Sequence, residues 1–222
     1  MISVAPHRQA LKERIDVVVS LIDETHPKPP AVGPISREAR GLAIVLLFAA
    51  YEDMLKTLTR TILETAIQMR ISNSRLQPGL RAFAMRDAAK SLRDVSERKV
   101  YAAGIPTVIE VLNRRDRLPT INPDDFPDDG SFMKQSQVKL WAQTFQIGPP
   151  GRLLKGIWNS IDAVVTQRNK IAHGALTPQD VGREYSEGDL RSLVSNWHTD
   201  WDAFLQHVEK CASSRDFFRI PR

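Results

Sequence analysis

The sequence predicts an all-α protein, and three observations support this. Apolar residues recur at three-four spacing through most of the chain. No segment alternates as a strand bounded by hairpin turns would. Prolines and glycines collect in a few short stretches that separate the periodic ones. The composition, 42% hydrophobic and 26% charged, suits a packed globular chain, and 222 residues suffice to bury a core without staples.

The first helix is expected from Pro6 to Asp23, where Leu11, Ile15, Val18, Val19 and Ile22 share one face. Four prolines and a glycine between Pro27 and Pro34 stop it. A long helix follows, from Ser36 as its N-cap to about Met69. Phe48, Leu55, Ile62 and Met69 recur every seven residues, with Val45, Glu52, Thr59 and Ala66 interleaved. Such a seam packs against other helices. Shifting the seam by one residue puts Tyr51 inside and leaves Glu52 on a solvated edge, and both registers fit.

From Ser72 to Lys134 the pattern weakens. Helices are expected at Leu80–Ala89, Ser91–Ala102 and Thr107–Arg115. Leu118 to Gly130, with three prolines and four aspartates, reads as an exposed loop. Its Asp124, Asp125, Asp128 and Asp129 lack the spacing and glycine of a calcium loop, so no metal site is expected there. The stretch around 71–135 reads as a helical and loop insertion into a simpler bundle, with 1–222 forming one domain.

Helical order returns at Ser136–Phe145 and breaks at Gly148-Pro149-Pro150-Gly151. The next helix runs from about Arg152 to His173, interrupted near Trp158, and Gly174 and Pro178 end it. The last helix starts near Ser186, with Asp189 as its first-turn acidic partner. Leu190, Val194, Trp197, Trp201, Phe204 and Val208 line its apolar face. Trp197 and Trp201 read as core or dimer contacts before base-stacking rings. The tail from Ser213 to Arg222 reads as loosely held.

Composition narrows the function classes. The single cysteine, Cys211, excludes an intramolecular disulfide and a multi-cysteine zinc site, and agrees with a reducing cytoplasm. The longest apolar run, Gly41 to Tyr51, falls short of the ~20 residues that cross a bilayer. Met1 to Arg14 has no signal-peptide core. A soluble, cytoplasmic protein without membrane contact is expected. The net charge of +5 favours a polyanionic partner such as RNA. There is no phosphate-cradling glycine loop, serine elbow or histidine ligand spacing.

One stretch carries chemistry: Gln167-Arg168-Asn169-Lys170-Ile171-Ala172-His173-Gly174. Asn169 and His173 are four apart and share a helical face. Cleaving an RNA backbone requires a proton taken from the 2′-hydroxyl, a proton given to the 5′-oxygen, and stabilisation of the anionic phosphorane between them. Histidine titrates near neutrality and moves protons. Arginine presents planar donors that match phosphate oxygens. Asparagine orients a phosphate oxygen or the imidazole. Lys170, Arg114 and Arg115 are candidate RNA contacts, and Glu52, as a carboxylate buried in the bundle, is a candidate support for Arg168 or His173. The bland reading has Arg168 and His173 capping the last carbonyls of their helix.

Arg168-x4-His173, with polar Asn169 after the arginine, resembles the Arg-x4–6-His signature of HEPN domains. The phrase from Ala163 to Gly174 is similar to the bacterial RiboL-PSP-HEPN branch, and Phe48-Ala49-Ala50-Tyr51-Glu52-Asp53-Met54-Leu55 resembles that branch's first long core helix. The likeness spans residues 36 to 210 and is strong only in these two stretches. It implies a HEPN-like antiparallel helical bundle that dimerises and cleaves RNA without metal or cofactor. In it, Arg168 and His173 take the catalytic positions and Asn169 the common polar one. Such domains serve as toxins or anti-phage effectors, which implies an antitoxin or defence-system partner. HEPN toxins controlled by nucleotidyltransferase antitoxins carry a tyrosine two residues after the histidine, and here that position is Ala175. The alternative is a non-catalytic helical dimer that binds RNA or protein.

Overall fold

The computed structural model describes residues 2–26, 33–93, 95–115 and 119–221. Helix α1 is Ala5–Thr25 and α2 is Pro34–Gln68; α3 (Pro78–Lys90) follows a 3-10 turn at Asn73–Arg75. Helix α4 (Glu97–Lys99) runs through a π-turn at Val100–Gly104 into α5 (Ile105–Asn113). Then come α6 (Gln135–Thr144), α7 (Pro150–Leu153), α8 (Trp158–Ala172), α9 (Pro178–Gly182) and α10 (Glu187–Cys211), and a last 3-10 turn at Arg215–Phe217. Among the described residues the one β feature is an isolated antiparallel bridge, Leu76 to Arg219. The fold is all-α. No described helix is long and apolar enough to cross a membrane.

Helix α2 is the axis of the bundle, packed by α1, α8, α9 and α10. Its burial explains why two registers fit its sequence. Phe48, Leu55, Ile62 and Ala66 are buried as the seven-residue seam requires, and so are Ile44, Leu47, Tyr51, Met54 and Leu58. A helix wrapped by neighbours has an apolar surface wider than one stripe. Tyr51 sits fully inside, stacked on Trp201 at 5.0 Å between centroids and edge-on to Trp197 at 5.9 Å. Both tryptophans belong to the core, and burial pushes the Tyr51 hydroxyl well above its ordinary range.

Several expectations need correction. Ser36 does not cap α2. Gly33 holds the N-cap position with Pro34 at the first helical residue, and the Ser36 hydroxyl donates to the Thr25 carbonyl at 2.8 Å, tying α2 to the end of α1. The acidic loop is exposed at Asp124, Asp128 and Asp129, as expected, but Asp125 is buried and pairs with Arg86 at 2.8 Å. The C-terminal tail is docked. Phe218 is fully buried, and main-chain bonds from Gln77 to Phe218 (3.0 Å) and from Ile220 to Arg75 (2.9 Å) hold it to the chain after α2. The proline stretch at 27–32, Asp94 and residues 116–118, with Arg117, lie outside the described residues.

Candidate active site

The motif occupies the last turn of α8. That turn ends on a Schellman closure. Gly174 stands at φ +70, its N–H donates to Ile171 at 3.0 Å, and the Ala175 N–H reaches back to Lys170 at 2.8 Å. The terminal carbonyls are thus met by backbone, so neither Arg168 nor His173 is used as a side-chain cap. His173 is the C-cap residue and is exposed, and among the described residues its ring makes no hydrogen bond or ion pair.

The chain beyond His173 is fixed against α2. Pro178 opens α9, and the Thr177–Asp180 capping box holds its start, with Asp180 receiving the Thr177 hydroxyl at 2.7 Å. A Cβ at Gly41 would fall on the Pro178 carbonyl, and one at Gly182 on the Arg37 carbonyl. Bare backbones therefore meet where α9 crosses α2. Gly174 ends α8, as its sequence predicts, and Pro178, expected only as a stop, starts this unpredicted short helix.

Arg168 turns the other way, towards α2. Its Nη2 lies 3.9 Å from Glu52 Oε2, beyond hydrogen-bond range but within ion-pair reach. Its Nη1 donates to Asn169 Oδ1 at 3.0 Å. Its Cζ lies 4.2 Å from the centroid of Phe48 and 5.1 Å from that of Phe132, both within cation–π range. The side chain keeps 25% of its exposure, so the guanidinium is held without being sealed. Glu52 is 19% exposed and also accepts from Lys56 at 2.7 Å. Tyr51 is the buried residue; Glu52 is not buried in the bundle but stands at its rim, where it faces Arg168.

Phe132 is 46% exposed and comes from the loop before α6. Phe132 and Met133 stand at φ +49 and +68, a left-handed pair without glycine. Such residues cost of order 1–3 kcal/mol each and persist where the surroundings over-determine them. Here the Tyr51 hydroxyl donates to the Met133 carbonyl, the Met133 side chain is buried, and the Gln135 N–H donates to Asp162 of α8 at 2.7 Å. Nothing local in the sequence marks this conformation, and Phe132 was not foreseen.

Behind the motif, Gln167 accepts from the Tyr185 hydroxyl at 2.6 Å and donates to Glu184 at 2.7 Å. Buried Arg40 donates to the Tyr185 carbonyl. Burial pushes the Tyr185 hydroxyl up, opposed by its bond to Gln167. This chain of bonds links α8 to α2 through the segment before α10, and of its residues only Gln167 lay in the stretch singled out from the sequence. Lys170 is exposed on the motif helix. Arg114 and Arg115 do not join the site: they follow α5, and Arg115 lines a cleft at the far end of α2.

The structure thus brings Arg168, Asn169 and Glu52 together and leaves His173 free at the helix end. A family model described as HEPN_MAE_28990-like HEPN matches residues 35–217. This chain belongs to the HEPN family. The span of the HEPN match includes both stretches that carried the resemblance. Its description is not that of the RiboL-PSP branch. Comparison with curated proteins and with solved structures returned no match.

Proposed function

We propose that this HEPN protein is a metal-independent endoribonuclease acting as a toxin or anti-phage effector. The observation that carries the reading is the division of labour at the end of α8. A held guanidinium faces inward at Arg168, and an unengaged imidazole stands at the backbone-closed terminus, at His173. In the proposed reaction an imidazole takes the 2′-hydroxyl proton. The 2′-oxygen forms its bond to phosphorus, the bond to the 5′-oxygen breaks, and that oxygen gains a proton. The products are a 2′,3′-cyclic phosphate and a 5′-hydroxyl. Arg168 stabilises the phosphorane, and Asn169, bonded to Arg168, orients that guanidinium or a phosphate oxygen.

One chain supplies one such histidine. A two-fold homodimer that joins two α8 termini would supply an acid and a base together. The exposed ring of Phe132 beside Arg168 offers a base a stacking surface next to the phosphate contact. The test is cleavage of a structured RNA in excess chelator, with the product ends identified. Cyclic phosphate ends, and full resistance of 2′-O-methyl RNA, are expected. Cleavage of the methylated strand would reject the mechanism.

A further inference from the structure

Two basic stretches that the active site does not use converge at the C-terminal end of α2. Arg115, after α5, and Arg215 and Arg219, from the C-terminal segment, line one cleft of about 530 Å³ together with Arg70 and Arg75. Among the described residues no carboxylate lines it, and none of the five arginines forms an ion pair. The Arg219 Nε is buried without a hydrogen-bond partner. The tail pairs antiparallel with the chain after α2, Arg219 opposite Leu76 and Ile220 bonded to Arg75, and this docking brings Arg219 to the cleft that Arg75 lines. Arg70 stands at φ +51 in the turn that ends α2.

Five cations gathered in one cleft, with no counter-charge among its described lining, repel one another. Their concentration is explained if an anion occupies the cleft. Among the described residues its walls carry no aromatic ring to stack a base and no carboxylate to read a ribose, which points to phosphates rather than to a nucleoside. It is also not a closed pocket: a second cleft of about 590 Å³ shares Gln68, Met69 and Arg215 and extends it towards Thr65 and Ser213. An open, base-indifferent basic groove suits a passing strand.

We infer that this groove is a second nucleic-acid contact, holding the phosphate backbone of single-stranded RNA away from the Arg168–His173 site. Gln68 is sixteen residues beyond Glu52 on α2, or about 24 Å at 1.5 Å per residue. A stacked strand that rises about 3.4 Å per nucleotide along its axis covers that in about seven nucleotides. The inference rests on RNA being the ligand of this protein, but not on its being cut.

The test uses full-length His173→Ala protein and a labelled 2′-O-methyl 20-mer, with anisotropy titrations between 50 and 200 mM salt. Arg115→Glu with Arg215→Glu, both at exposed positions, is expected to raise Kd at least tenfold. It should also shrink the log–log salt slope by about 1.4, since each lost phosphate contact on a single strand is worth about 0.7. The Gln pair should fall between, and a thermal melt confirms folding. Unchanged Kd and slope would overturn the inference. So would ATP or a 4-mer competing as well as the 20-mer, which would make the groove a small-anion site. If the wild type cuts nothing while the Glu pair still loses binding, the nuclease reading fails and this one stands.

Discussion

Arg168 and His173 are five residues apart and held in opposite ways. Arg168 is gripped by two rings, a carboxylate and an amide, whereas His173 is held only through its backbone. Two predictions follow from that contrast. Arg168→Lys keeps the charge but loses the planar fork, so cleavage should fall about 10²–10³-fold, with thermal stability within about 1 kcal/mol because cation–π contact survives. Steady-state kinetics and a melt decide it. Glu52 touches no substrate in this account and positions Arg168. Glu52→Gln should lower kcat about 10- to 100-fold through misplacement without raising KM, since a negative charge leaves the phosphate's surroundings. A rise in KM alone would show that Glu52 serves binding instead. Arg168, Asn169 and His173 were legible because their spacing is local. Phe132 was not, because its place beside Arg168 depends on a left-handed turn pinned by Tyr51 and Asp162.

Helix ends decide where these side chains stand. The stop of α8 was readable from Gly174 and Pro178, and the start of α10 from Ser186 and Asp189, because each signal lies within a few residues of the boundary it marks. The register of α2 was not readable, because a helix covered on most sides buries both candidate faces. Neither was its cap: Ser36 has the right chemistry, but Pro34 starts the helix two residues earlier. The α2–α9 crossing depends on absent side chains. Gly182→Ala should therefore destabilise by about 3 kcal/mol, read as a lower urea midpoint, since backbone carbonyls have little room to yield. The capping boxes give a pH signature. Hydrogen bonds from Thr177 and Ser186 hold the Asp180 and Asp189 carboxyls below the ordinary value of 3.8. A carboxyl lowered in the folded state stabilises fully above its unfolded value, and that stabilisation is lost as pH falls through the folded one. Asp180→Asn with Asp189→Asn should flatten the acid limb of stability below about pH 4. An unchanged limb would assign it to other carboxylates.

At the scale of the whole molecule, the net charge of +5 hid its own distribution. Arg115 and Arg215 are a hundred residues apart in sequence and share one cleft only because the tail folds back beside residues 75–77. No local pattern reports such a pairing, and a basic, aromatic tail reads as loose until Phe218 is seen in the core. The proposed homodimer makes its own prediction. If each centre needs two imidazoles, activity in re-equilibrated mixtures of wild type with His173→Ala should follow the square of the wild-type fraction. A linear dependence would mean that each subunit works alone. The most direct test remains RNA cleavage by purified wild-type and His173→Ala proteins side by side in chelator. An exposed residue without side-chain partners should leave the melt unchanged, while the rate should fall by at least about 10²-fold. Equal rates from the two proteins would contradict the assignment.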